Sequence, residues 1–397
     1  MLNNGYILSS SIKETALINK KIIPTKKNIE SGKLLRSVRL NWTSECNFRC
    51  SYCHAEVIRQ GGQSQNLNFY KAKEFIDKIF EVLKANNKTD LSVRFYGGEP
   101  LIYWKEIKKT IEYILKKKPK RFLVKTILNT NGALVNDQMA RFGADNSVLF
   151  VVSLDGPPHI HDKLRRTKNN LGTYYSVRNG IKILIKNGCL ACVHCTIDKH
   201  NSDLNSLKSL VKICQRLGVY GLAFTPSFQS LVRNTDNENK ILASKIHRIF
   251  LYARKRGFVV GGLWKGVIGR LLNNFQKQIH CSGEGRELGI EADGSITSCV
   301  NIPTTFGNVI NLKKVFKTPY YTKISKRHGQ FLTSCSTCNL SGLCTGGCMS
   351  VPYYKSQDIN KVTACSYYQA LVNEFIKGIA KNGFEYYEYL GCGFGGF

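Results

Sequence analysis

The sequence predicts an α/β fold: a parallel sheet, closed or partly closed, followed by a cysteine-rich module. Three observations predict it. From about residue 37 to 230, short β-rich apolar runs alternate with amphipathic helical stretches, the pattern of repeated βα units. Three cysteines, Cys46, Cys50 and Cys53, fall in eight residues directly after the first such run. Seven more fall in the 85 residues from Cys281 to Cys365. At 397 residues the chain exceeds one minimal domain and has room for a barrel plus an appendage.

Residues 1–36 are polar and lysine-rich with little periodicity, and are expected to form an N-terminal arm or a short hairpin. Residues 37–42 are the first strand. Ala72, Phe75, Ile76, Ile79, Phe80 and Leu83 form a helical stripe. Residues 92–96 are a short strand, and Trp104, Ile107, Ile111, Ile114 and Leu115 mark the next helix. The run 116–121, Lys-Lys-Lys-Pro-Lys-Arg, resembles a nuclear-import patch in isolation. It reads better as a helix end, where cations favour the dipole and proline stops the turn. Runs 122–128 and 148–154 are strands expected to be buried on both faces. Tyr174, Val177, Ile181, Leu184 and Ile185 form a further stripe; 192–197 is a strand; Leu204, Leu207, Leu210, Val211, Cys214 and Leu217 a helix; 219–224 a sixth strand. Later, Asp293-Gly294 within 290–297 reads as a β-hairpin turn, and a helix is expected from about 364 to 382. The division is 1–36 arm, 37–265 barrel, 266–383 cysteine-rich domain and 384–397 Gly-rich tail, the tail with Cys392 reading as a dispensable end.

The N-terminus has no continuous apolar core of a signal peptide, and no stretch of ~18 apolar residues suits a membrane span. In a cytoplasmic, reducing compartment, fifteen cysteines point to metal binding rather than to a disulfide framework. The charge balance is 58 basic against 27 acidic residues, a net of +31. Such a field gathers anionic partners, nucleic acid or an acidic peptide; solvated lysine-rich faces are the bland alternative. Nucleic acid is disfavoured, because the lysines lack interleaved stacking aromatics.

Three soft ligands in eight residues suit iron–sulfur or zinc. A zinc knuckle needs a fourth ligand nearby, and His54, adjacent to Cys53, closes a tetrahedron poorly. A [4Fe–4S] cluster held by three thiolates leaves its fourth iron for a small molecule. Cys189, Cys192 and Cys195 have similar spacing. Strand positions three apart face opposite sides, so these read as small buried residues.

With Tyr52 in the usual aromatic place, the loop Cys46-x3-Cys50-x2-Cys53 resembles the signature of the radical S-adenosylmethionine (SAM) enzymes. The resemblance implies a partial (β/α)6 TIM-type barrel with ligands at the C-terminal ends of its strands. It implies that the open iron binds SAM and that cluster electrons cleave it to a 5′-deoxyadenosyl radical. Gly97-Gly98-Glu99-Pro100, after the second strand, matches the family segment that binds SAM's amino group; alone it is an ordinary βα turn. Asn129-Thr130-Asn131-Gly132 follows the third strand. Ser153-Leu154-Asp155-Gly156, continuing to His161 and Arg165, resembles the peptide-modifying and sulfatase-maturing branch, and implies that Ser153 and Arg165 contact SAM's polar groups, an arginine fork suiting a carboxylate. Pro226-Ser227-Phe228 falls where relatives offer backbone to the adenine.

The order Cys281-x12-Gly294-x4-Cys299, Cys335-x2-Cys338-x5-Cys344-x3-Cys348, then Cys365 resembles the SPASM extension; two zinc ribbons are the structural alternative. The resemblance implies a distal auxiliary [4Fe–4S] cluster on Cys335, Cys338, Cys344 and Cys365 and a proximal one on Cys281, Cys299 and Cys348, giving three clusters in all. No cysteine lies between Cys281 and Cys299, so the proximal cluster has three visible ligands. Sulfatase-maturing members place an aspartate, their proposed base, after the cysteine matching Cys299; here it is Val300. The expected function is therefore oxidative crosslinking of a ribosomally made precursor peptide, acidic in part, with flavodoxin or ferredoxin as reductant. A sulfatase-maturing-type side-chain oxidase and an RNA-binding or RNA-modifying protein are the alternatives.

Overall fold

The computed structural model describes residues 24–53, 66–262, 267, 279–327 and 329–383. Most of the N-terminal arm and the whole Gly-rich tail with Cys392 lie outside the described residues. The part of the arm that is described holds a helix, Lys26–Glu30, capped by the Thr25 side chain.

The strands are β1 Ser37–Asn41, β2 Phe48–Cys50, β3 Asp90–Tyr96, β4 Leu123–Thr130, β5 Leu149–Ser153, β6 Arg165–Thr167, β7 Ala191–Ile197, β8 Gly221–Pro226, β9 Val259–Gly261, β10 Glu287–Ile290 and β11 Ile296–Thr297. Nine of them form one sheet in the order β11-β10-β1-β3-β4-β5-β7-β8-β9. All pairs are parallel except the β10–β11 hairpin. The six expected βα strands are β1, β3, β4, β5, β7 and β8, in sequential order. Two parallel strands extend that count. β9 has three residues, too few to show a period. β10 comes from the cysteine-rich segment and pairs with β1, Ser37 opposite Glu287 and Leu40 opposite Ile290. The sheet edges β9 and β11 are not joined among the described residues, so the barrel is partial.

Alternation sorts each strand into two faces. Val38, Leu40, Val93, Phe95, Phe150, Val152, Val193 and Ile197 are buried in one apolar cluster under helices Phe69–Ala85, Trp104–Lys117, Tyr174–Lys186 and Leu204–Leu217. Asn68 and Asp203 cap two of these through their side chains, and the left-handed Gly218 ends the last, the asymmetry expected of helix termini. The helix Trp104–Lys117 stops in the basic run, as its composition implied. β5 is buried on both faces as expected, with Phe150 and Val152 on one and Val151 on the other, whereas the inner face of β1, β3 and β7 is polar. It carries Arg39, Asn41, Arg94, Tyr96 and His194, the polar lining of a site rather than of a core. Cys192 and Cys195 are buried on opposite faces of β7, and Cys189 donates to the Ala140 carbonyl at 2.8 Å.

The seam between β1 and β10 is built from charge. Arg39 Nη1 meets Glu287 Oε1 at 2.7 Å, and Nη2 donates to Thr297 Oγ1 at 3.0 Å. Asn41 Nδ2 donates to both oxygens of Glu291 at 2.7 Å. Arg39 lies across Gly289, where a Cβ would sit 2.3 Å from its Nη2. A residue larger than glycine there would push the guanidinium off its partners. No helix among the described residues is long and apolar enough to cross a membrane.

Candidate active site

The cysteine loop follows β1 and is held by the next strand's end. Gly98 N donates to Thr43 O at 2.7 Å and Glu99 N to Glu45 O at 2.8 Å. A Cβ on Gly98 would lie 2.0 Å from the Glu45 carbonyl oxygen. The paired glycines thus let the Gly-Gly-Glu-Pro turn lie flush on the approach to Cys46. Glu99 is fully buried and meets no cation among the described residues. Its carboxylate accepts from Leu101 N at 3.0 Å, Thr130 Oγ1 at 2.7 Å and Asn131 N at 2.7 Å. It is a brace that ties the end of β3 to the end of β4.

Burial pushes the Glu99 carboxyl up from 4.5 to about 7, against the bonds from Asn131 and Thr130. The folded state therefore holds this proton more tightly than the unfolded chain. That contribution is fully present below the unfolded value and is lost as pH rises toward 7. Wild type is expected to lose up to ~3 kcal/mol across that window. Glu99→Gln should flatten the slope in denaturant melts repeated through it.

Asn131 turns back to the cysteine loop, donating to Asn47 Oδ1 at 2.7 Å and toward Cys46 Sγ at 3.9 Å. On the other side, β2 and β6 form a two-stranded antiparallel sheet that sets Cys50 opposite Arg165. Arg165 Nε meets Asp155 Oδ2 at 2.7 Å and Nη2 meets Oδ1 at 3.4 Å. Its Nη1 points at Cys50 Sγ from 3.8 Å, and its guanidinium sits 5.3 Å from the centre of the Tyr52 ring. Tyr52 Oη donates to the same carboxylate, as does Thr196 N at 3.0 Å. Burial alone would raise the Asp155 pKa, but Arg165 and these donors hold it below the usual carboxylate range. Asp155 N donates to His161 Nδ1. Thr173 Oγ1 donates to Arg165 O at 2.8 Å, so it accepts from His161 Nε2. Burial keeps that ring down at about 4, hence neutral, with its proton on Nε2.

Ser153 ends β5 on the inner face, opposite His194 of β7. Ser227 N donates to Ile197 O at 2.8 Å, fixing the turn after β8. The Phe228 ring stacks on Tyr354 with centroids 4.6 Å apart, so that turn also meets the cysteine-rich segment.

Six of the seven later described cysteines fall into two groups. Cys281, Cys299 and Cys348 lie within electrostatic reach of one another, as do Cys335, Cys338 and Cys365. One clasp organises the loops that carry them. Arg327 and Glu284 are both fully buried and meet at 2.5 Å. Arg327 also donates to Ile359 O at 2.7 Å, Gly347 O at 3.0 Å and Gly346 O at 3.1 Å. Glu284 in turn accepts from His280 N at 2.7 Å. The clasp therefore joins the turn after Cys281 to the two glycines before Cys348.

All fourteen described cysteines are free. Among the described residues no three Cys, His, Asp or Glu gather tightly enough for a single ion; the corners of a cluster hold ligands further apart. N–H groups approach the sulfurs: Phe48 N on Cys46 at 3.4 Å, Asn301 N on Cys299 at 3.4 Å and Gln369 Nε2 on Cys338 at 3.8 Å. Such donors accompany iron–sulfur ligation and tune it. This donor set fits clusters.

The radical SAM superfamily model matches residues 40–203, and the SPASM iron-sulfur cluster-binding domain model matches 281–339. The chain is a radical SAM enzyme with a SPASM domain. The enzyme is 26% identical over 380 residues to the radical SAM cyclopropyl synthase TigE of Paramaledivibacter caminithermalis, covering 90% of this chain and 77% of TigE. It is 24% identical over 331 residues to the cysteine-type anaerobic sulfatase-maturating enzyme of Clostridium novyi, covering 77% and 85%. Its fold superimposes on anSMEcpe with bound AdoMet and Cp18Cys peptide at a TM-score of 0.73, with 19% identity, over 87% of this chain and 98% of that one. Streptococcus suis SuiB bound to precursor peptide SuiA gives 0.62 with 15% identity, over 86% and 78%. Asp155, His161 and Asn131 of the enzyme stood inside recognised segments, but no spacing rule singled out their roles. Arg327 and Glu284 carried no sequence signal.

Proposed function

We propose that the enzyme uses SAM to oxidise and crosslink residues of a ribosomally made precursor peptide, through a thioether, carbon–carbon or carbon–oxygen bond. The carrying observation is the polar inner face where β10, from the cysteine-rich segment, lies in register beside β1, which leads into the Cys46 loop. Similarity over 77% of the chain to a sulfatase-maturating enzyme, which by its name acts on a protein, supports action on a peptide or protein.

Bound SAM and its cluster would supply a 5′-deoxyadenosyl radical that takes hydrogen from a side-chain or α carbon. Cys46, Cys50 and Cys53 would hold that cluster. The backbone of Gly97, Gly98 and Glu99 would receive SAM's amino group, while the Glu99 carboxylate keeps the turn rigid. Arg165, oriented by Asp155 and Tyr52, would present its remaining N–H groups to SAM's carboxylate, with Ser153 beside it. The turn ending at Phe228 would receive the adenine. Cys335, Cys338, Cys344 and Cys365 would hold the distal auxiliary cluster, and Cys281, Cys299 and Cys348 the proximal one, for three [4Fe–4S] clusters. With no fourth cysteine between Cys281 and Cys299, the proximal site would admit a substrate thiolate. The chain's task is to hold carbon and radical at near-attack distance and exclude water. A flavodoxin or ferredoxin would serve as reductant.

Val300 sits beside Cys299 and accepts no proton, which ranks the sulfatase-maturing reading second despite the fold it shares with anSMEcpe. Anaerobic reaction with SAM, dithionite and any short peptide encoded beside the gene, set against a sulfatase-motif peptide, separates the two. A peptide that loses a pair of hydrogens and gains a crosslink supports the proposal. Conversion of a sulfatase-motif cysteine to an aldehyde, with the adjacent peptide unchanged, refutes it.

A further inference from the structure

A groove of about 450 Å³ runs along the outside of the barrel between helices Tyr174–Lys186 and Leu204–Leu217. Tyr174, Tyr175, Arg178, Lys182 and Arg216 line it, over a floor of Ile213 and Leu217. Pro158 also lines it, five residues past the end of β5 and so near the rim where the SAM segments gather. The three cations face no ion-pair partner among the described residues. Asp162, the nearest carboxylate along the chain to Arg178, is occupied by the amides of Thr173 and Tyr174 at 2.7 and 2.8 Å, and Asp203, the nearest to Arg216, accepts from the Ser206 amide at 2.8 Å. Tyr175 is 68% exposed, and Leu171, four residues before it, is 64% exposed. Large apolar side chains left this open beside uncompensated charge mark a contact surface.

The groove is joined to the active site by touching side chains. Tyr175 packs edge-on against Tyr174, with centroids 5.3 Å apart, and Tyr174 against His161 at 6.0 Å. His161 accepts from the Asp155 amide, and Asp155 holds Arg165 beside Cys50.

We propose that this groove docks an acidic segment of the precursor peptide, its carboxylates on Arg178, Lys182 and Arg216 and an aliphatic side chain on the Ile213 and Leu217 floor. This assignment rests on the peptide-modifying reading and names where that substrate is held. Single-stranded RNA suits the groove less well. Nucleic-acid platforms stack successive bases on open aromatic faces, and Tyr174 is buried, leaving one exposed ring.

The test uses the full chain and a short fluorescein-labelled peptide of repeating Glu-Leu-Glu-Glu, followed by fluorescence anisotropy at low and physiological salt. The triple variant Arg178→Glu/Lys182→Glu/Arg216→Glu is expected to bind roughly tenfold or more weakly. A control reversal of equal charge, Lys116→Glu/Lys117→Glu/Lys120→Glu, should keep near-wild-type affinity. Tyr175→Ser, a neutral change at an exposed position, should weaken binding several-fold and guards against misfolding of the triple variant. Absence of binding by wild type, equal loss in both reversals, or no loss in the groove variants overturns the proposal. Tighter binding of fluorescein-labelled oligouridine that the groove reversal abolishes also overturns it, in favour of nucleic acid. Peptide crosslinking by wild type, measured separately, tells a failed groove from a failed peptide-modifying reading.

Discussion

Removing the Arg327 side chain is expected to cost about 3–5 kcal/mol of stability, because it strands the Glu284 carboxylate in a dry interior. The effect should exceed that of any surface ion pair in this chain, such as Lys26 with Glu30 or Lys323 with Asp358, worth roughly 0–1 kcal/mol each. Three backbone carbonyls would lose their donor at the same time. Arg327→Met should therefore melt early under anaerobic conditions and retain less auxiliary iron. The double variant Arg327→Met/Glu284→Leu should regain part of the loss, since no charge is left unpaired. It should not regain all of it, because the carbonyls before Cys348 stay unsatisfied. A single variant as stable as wild type would show that the clasp is dispensable.

The second large effect is expected at Asp155. Asparagine keeps the shape but removes the charge that orients Arg165 and receives the Tyr52 hydroxyl. Ligand-orienting partners of this kind typically cost 10–100-fold when replaced, and roughly that loss is expected in 5′-deoxyadenosine release by Asp155→Asn. Alanine should add about 3–5 kcal/mol of destabilisation, since Arg165 then sits buried without a counter-charge. The two variants separate chemistry from folding. If Asp155→Asn cleaved SAM at the wild-type rate, Arg165 would owe its position to something else.

The secondary structure was largely legible in the chain. Long amphipathic stripes such as Ala72 to Leu83 carry their own period, and the helix Cys365–Asn382 and the hairpin at Asp293-Gly294 fall where composition put them. The short strands were not legible. β2 and β6 have three residues each, and they pair across more than a hundred positions to set Cys50 against Arg165. The same applies to β10, whose place beside β1 depends on a buried Arg39–Glu287 contact spanning 248 positions. Pairing energy of that kind is tertiary and leaves no local pattern. The cysteines stood out because soft ligands are scarce and their spacing is itself chemical information. Glu99 shows the opposite case. Its motif pointed to a ligand, whereas its burial assigns its side chain to bracing the fold.

We propose that the Cys46, Cys50 and Cys53 loop holds the cluster at which SAM is cleaved. The most direct test is anaerobic iron and sulfide content of wild type and of the Cys46/Cys50/Cys53 triple alanine variant. About twelve irons per chain are expected, falling by about four in the variant, with SAM-dependent 5′-deoxyadenosine release only in wild type. Zinc in place of iron after careful reconstitution, or an iron content unchanged in the variant, would contradict it.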